Sequence, residues 1–71
     1  MIEVIEKMLP LSVEVGDVLK TKYGNCVVNG MGANDLNTIF ICTDEYDIEH
    51  VIEVPDSQQI PVVFMVEEEV E

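Results

Sequence analysis

The 71-residue chain has no Trp and no Arg, a single His, two Cys and only three Lys. Each scarcity excludes something. Neutralising a phosphate backbone takes Lys or Arg, and Lys7, Lys20 and Lys22 stand against 15 Asp and Glu, a formal charge of −12. Direct nucleic-acid binding is therefore not expected. The same electrostatics disfavour anionic membrane surfaces and phosphate-bearing cofactors. Any protein partner is expected to present a basic surface. Cys26 and Cys42 stand far apart in the sequence, without a Cys-x-x-Cys or a second His, so neither a disulfide framework nor a zinc site is expected. With no signal-peptide pattern at the start, the expected location is cytoplasmic, in a bacterial host cell if the chain is phage-encoded, with reduced thiols. The longest apolar run, Ile60 to Val66, contains Pro61 and falls far short of the ~20 residues that span a bilayer.

What the chain does have is apolar content, with 48% hydrophobic residues and a positive mean hydropathy. That is too apolar for a disordered acidic tail, so the chain is expected to fold as one domain over 1–71, with an N-terminal strand or arm over 1–11 and an acidic tail over 67–71. A domain this small buries only about 60% of its unfolded surface. Its core is thin, with little room for a deep, dry active site. Candidate nucleophiles and bases are few, and no enzyme activity and no cofactor are expected. His50 falls on the same strand face as Ile48 and Ile52, where an imidazole is more often a boundary residue than a general base. It would gain a thiol partner only if Cys26 or Cys42 lay opposite it, and buried strand cysteines usually behave as small hydrophobes.

Turn residues divide the chain into short segments rich in β-branched residues, which points to an all-β fold. Met1 to Leu9 fits either a helical stripe or a strand, with the strand or extended arm favoured, and Pro10 ends it. Gly16-Asp17 forms a turn that launches Val18 to Lys22, and Tyr23-Gly24-Asn25 reads as a hairpin turn before a return strand over 26–29. Gly30 to Asp35 has the glycines and Asx residues of a mobile loop. Asn37 to Thr43 is the next strand, with apolar residues on both faces, which suggests a central position. Asp44 to Asp47 is an acidic turn, Ile48 to Val54 alternates as a half-buried strand, Pro55-Asp56-Ser57 closes it, and Ile60 to Val66 is the last strand.

The segment Val15-Gly16-Asp17-Val18-Leu19-Lys20-Thr21-Lys22-Tyr23-Gly24-Asn25-Cys26-Val27-Val28 resembles the opening hairpin of Src-homology-3-like (SH3-like) small barrels. The resemblance covers about a fifth of the chain. It implies a small single-domain β-barrel or a strongly bent antiparallel sheet of five to six short strands, and it implies a fold without a function. The peptide-binding members of that class use a Trp, which is lacking here, so a reader of proline-rich peptides is not expected.

The acidic residues are unevenly spread. Residues 1–43 hold five acids and all three lysines, a net of −2, whereas residues 44–71 hold ten acids and no lysine, a net of −10. If Glu45, Asp47, Glu49 and Glu53 lie on one extended segment they share a face, and Glu67, Glu69 and Glu71 repeat the pattern. Same-face spacing in a strand, about 6.5 to 7 Å, is close to the spacing of alternate phosphates along one DNA strand, roughly 7 Å. The candidate partner-binding residues are therefore Asp44, Glu45, Tyr46, Asp47, Glu49, Glu53, Glu67, Glu68, Glu69 and Glu71. The competing explanation is that these acids only keep an aggregation-prone strand soluble. In size and charge the chain resembles the DNA-mimic inhibitors of phages and mobile elements, of the anti-restriction and anti-CRISPR type. The leading expectation is thus a small acidic protein-binding module that blocks the basic nucleic-acid-binding surface of a host protein. The alternative is a structural or regulatory barrel subunit, a virion or complex component, that associates through strand edges and an apolar face, with Ile60 to Val66 as the associating strand and a homo-oligomer as one outcome.

Overall fold

A computed structural model describes residues 2–67, and Glu68, Glu69 and Glu71 of the acidic tail lie outside the described residues. Six strands alternate with tight turns: β1 (Ile2–Met8), β2 (Val18–Thr21), β3 (Gly24–Asn34), β4 (Asn37–Thr43), β5 (Glu49–Pro55) and β6 (Ile60–Val66), with a 3-10 turn at Pro10–Ser12. All pairings are antiparallel, in one sheet of order β1-β6-β2-β3-β4-β5. The all-β class is as expected, and within Met1 to Leu9 the favoured strand is found over Ile2–Met8. Closure is not: the sheet stays open, with β1 and β5 as free edges, and no barrel forms.

The sheet rolls around its core because β3 bends. Its first residues pair with β2 and its last with β4, and the register slips between Val28 and Gly30, so that Asn29 is an extra residue in the strand. A bulge of this kind sharpens the local twist. The roll brings β5 across from β2, from which β3 and β4 separate it in the sheet order, and a hollow of about 360 Å³ lies between them. The concave face carries the core, Leu19, Cys26, Val28, Phe40, Cys42, Val54, Ile60 and Val62, and Val13 after the 3-10 turn joins it. Phe40 is its largest fully buried side chain.

Two turn expectations need correction. Gly30 to Asn34 is strand, and only Asp35 and Leu36 make the β3–β4 turn, with Asp35 in the left-handed region at φ 53°. Glycine is a loop signal in a sequence, yet Gly30 and Gly32 lie opposite Ile41 and Ile39, whose side chains occupy the space beside them. The first hairpin turns at Lys22-Tyr23, one residue early, with Gly24 at φ 89° already opening β3. Gly24 is needed there because a Cβ disfavours that backbone. The Gly16-Asp17 pair extends this hairpin, since the Gly16 N–H donates to the Val28 carbonyl and the Val28 N–H to that of Asp17, both at 2.8 Å.

β4 is an interior strand, with Thr38, Phe40 and Cys42 fully buried on one face and Ile39 and Ile41 half-buried on the other. β6 is interior as well, between β1 and β2, so the expected associating strand offers no free edge. The turn after β5 is tied to the far end of β3–β4: the Asp56 N–H donates to the Leu36 carbonyl, and the buried Thr38 hydroxyl donates to the Asp56 carboxylate at 2.6 Å.

Candidate functional site

The acidic β4–β5 hairpin is built around one carboxylate. Asp44 accepts hydrogen bonds from the Tyr46 N–H at 2.8 Å and the Ile48 N–H at 3.0 Å, which closes an Asx-type turn. Its other oxygen lies 2.7 Å from Nε2 of His50. These bonds, His50 first and the Ile48 N–H second, hold the Asp44 carboxyl below the usual carboxylate range. Asp47 takes a left-handed φ of 62°, and its N–H donates to the Asp44 carbonyl. Charged, Asp44 is thus a structural anchor.

The remaining candidates divide by position. Glu45, Tyr46 and Asp47 project from the turn, with Tyr46 81% exposed. Glu49, Val51 and Glu53 lie on the outer face of β5, where alternation puts them side by side, and Glu53 accepts from the Asn37 amide at 2.6 Å. The expected single row of carboxylates from Glu45 to Glu53 does not form, because the chain reverses at residues 44–48. On the strand itself Val51 separates Glu49 from Glu53. Glu67 follows β6 on the other flank of the sheet order, with β2, β3 and β4 intervening, so it is not brought to the hairpin. Among the described residues, no three His, Cys, Asp or Glu converge to hold a metal ion.

Behind the hairpin, the Tyr23 and His50 rings stack with centroids 3.7 Å apart and planes 6° from parallel. Lys22 sits 5.2 Å from the centre of the Tyr23 ring. The turn of the first hairpin is thereby clamped to β5, and Tyr23, Thr21, Leu19, Ile52, Val54 and Ile60 line the hollow beside the clamp. Strand alternation had placed His50 on this inner face. A polar ring there needs a polar partner, and the sequence offered Asp44 six residues earlier as the signal. The stack with Tyr23, 27 residues away, had none.

Cys42 does lie directly opposite His50 in the β4–β5 register. Its thiol is fully buried, and burial first, with the neighbouring Cys26 second, pushes its pKa up to about 11. That keeps it protonated at neutral pH. His50 meanwhile directs Nε2 to Asp44 and its ring face to Tyr23. These contacts pack the His50 ring on Tyr23 and close the Asp44 turn.

Comparisons with protein-family models, curated proteins and solved structures find no match to this chain.

Proposed function

We propose that the protein is a small acidic binding module that docks its β4–β5 hairpin onto a basic protein surface of the kind that binds nucleic acid. One observation supports this above others. A turn held by three hydrogen bonds to Asp44 presents Glu45, Asp47 and Glu49 together with exposed Tyr46, Ile48 and Val51. Carboxylates alone are what solubility requires. A rigid mixture of carboxylates with a tyrosine and aliphatic side chains is also what a contact surface requires, because the charges steer the encounter while the apolar groups contribute the area that is desolvated. The finer idea of phosphate mimicry is left on the described strand with only Glu49 and Glu53, two same-face intervals or about 13 Å apart rather than the roughly 7 Å of alternate phosphates, whereas electrostatic steering does not depend on a regular row. The resemblance of the first hairpin to SH3-like barrels is compatible with this role.

The test is capture from a bacterial lysate on the immobilised protein, eluted along a salt gradient, against a variant carrying Glu45→Gln, Asp47→Asn, Glu49→Gln and Glu53→Gln. The reading predicts a basic partner that leaves the wild type at high salt and is not held by the variant. A partner retained equally by both, or indifferent to salt, contradicts it.

A second reading, a structural subunit that associates through a strand edge, is favoured by a different observation. Strand β1 is an edge with Ile2, Val4 and Ile5 exposed.

A further inference from the structure

We propose that two copies of this chain join edge to edge through β1, antiparallel about a two-fold axis at Ile5, so that Glu3 of each copy faces Lys7 of the other. The proposal is independent of the acidic-hairpin reading, since it uses the opposite edge of the sheet.

Among the described residues β1 pairs with β6 on one side only, and the backbone groups on its other side have no sheet partner there. Such an edge pairs with another strand unless it is guarded by charge, proline or a bulge. β5 is guarded: a two-fold at Val51 would set Glu49 against Glu53, and one at Ile52 would set Glu49 against Pro55, which lacks an N–H to donate. β1 is not guarded in that way, and its sequence discriminates between axes. Axes at Glu3 or Glu6 place like charges face to face. An axis at Val4 sets Glu3 against Ile5 and Glu6 against Ile2. Only the axis at Ile5 leaves all of Ile2 to Met8 paired, with Ile2 opposite Met8, Val4 opposite Glu6, and two Glu3–Lys7 pairs of opposite charge. Lys7 has no carboxylate partner among the described residues, and Glu3 lies 3.9 Å from Lys20 in a partly exposed pair that leaves it open to a second cation.

A second observation selects the same axis. Ile5, Val63, Val18 and Val27 are direct register partners across four neighbouring strands, on the face opposite the core. Val63 is buried in this row, while Ile5 at its end is half exposed. Placing Ile5 against Ile5 continues the row without interruption into the second copy. At the axis itself β1 carries only Glu3 and Glu6 against Lys7, and Glu67, which follows Val66, the register partner of Ile2, lies at the Ile2 end of the strand rather than at Ile5. The pairing is closed and isologous, so association stops at two.

Sedimentation equilibrium of the full chain tests this with a charge-swap cycle. The wild type is expected to be a reversible dimer. Glu3→Lys alone and Lys7→Glu alone each put like charges opposite at two places and are expected to raise the dissociation constant about tenfold or more. The double swap restores the pairs and is expected to return to within about threefold of wild type. Circular dichroism of each variant reports whether the monomer is folded, and a separate cross-link makes the register readable: Ile5→Cys is expected to form an intermolecular disulfide under mild oxidation and Val4→Cys is not. A monomer at all concentrations, species larger than a dimer, a dimer indifferent to the single reversals, or preferential cross-linking through Val4→Cys would overturn the proposal.

Discussion

The two free edges of this sheet have been given opposite treatments. On β5 the outward side chains are Glu49, Val51 and Glu53, the strand ends in Pro55, and the turn before it is fastened by Asp44 and by the stack of His50 on Tyr23. On β1 the outward residues are Ile5 between Glu3 and Lys7, with Ile2 and Val4 exposed on the other face. Both strands present unpaired backbone on one side. β5 combines that with repulsion between copies, whereas β1 combines it with a self-complementary charge pattern. Glu49 and Glu53 are therefore placed where they disfavour pairing of β5 between copies, whereas the charges of β1 complement one another. In a natural sheet, where the charge sits decides more than how much there is.

The largest effect on both edges comes from what they share. Both edges hang on one thin core, and Phe40→Ala removes its largest fully buried side chain. The expected loss is about 3–5 kcal/mol, comparable to the whole stability of a domain this size, so β1 and β5 should lose their structure together in a single thermal transition by circular dichroism. Exchanging the edges' characters is the next largest effect. Glu49→Thr with Glu53→Thr removes the guard from β5, and light scattering should then detect association that is absent in the wild type beyond the dimer, while Ile5→Lys should abolish self-association through β1. Removing the clamp is smaller. His50→Ala deletes the stack with Tyr23, worth about 0.5–1.5 kcal/mol, and hydrogen exchange should rise in the β4–β5 hairpin without change at β1.

The pH dependence concerns the β4–β5 side, through one group in its turn and one on β4. In the folded chain the Asp44 carboxyl lies below its ordinary value of 3.8, so its contribution is present above that value and is lost as the pH falls through the folded value. Asp44→Asn should therefore flatten the acid arm of the stability profile. At the other extreme, the folded Cys42 thiol titrates near 11 against 9.0 for a free one, so stability is full below pH 9 and declines between about pH 9 and 11 as the unfolded chain deprotonates first. Cys42→Ser should reduce that decline, as measured by urea denaturation at each pH.

The strands were legible where a period of two coincided with burial. Asn37 to Thr43 and Ile60 to Val66 have the expected ends, and Ile48 to Val54 alternates as read, one residue short at its start because the Ile48 N–H belongs to the Asp44 turn. Glycine was misleading at Gly30 and Gly32, since a residue without a side chain serves a loop and a strand beside two isoleucines equally well. Sheet closure was not legible at all, because it depends on how far a bulge at Asn29 turns the sheet, and no local pattern encodes that angle. Of the candidate site, the Asp44 turn was read correctly. The division of the acids between turn, strand and the flank beyond β6 was not, because same-face spacing holds only while the chain stays extended. Nor could the sequence say which strands would be edges: β6 is as apolar as an associating strand should be, and pairing on both sides removes it from use.

Amide hydrogen exchange at two protein concentrations tests the contrast between the edges most directly. Comparing a dilute sample with a concentrated one, the account predicts that protection of alternate amides in Ile2 to Met8 rises with concentration while that of Glu49 to Val54 stays constant. Protection that rises on β5, or on neither edge, would contradict it.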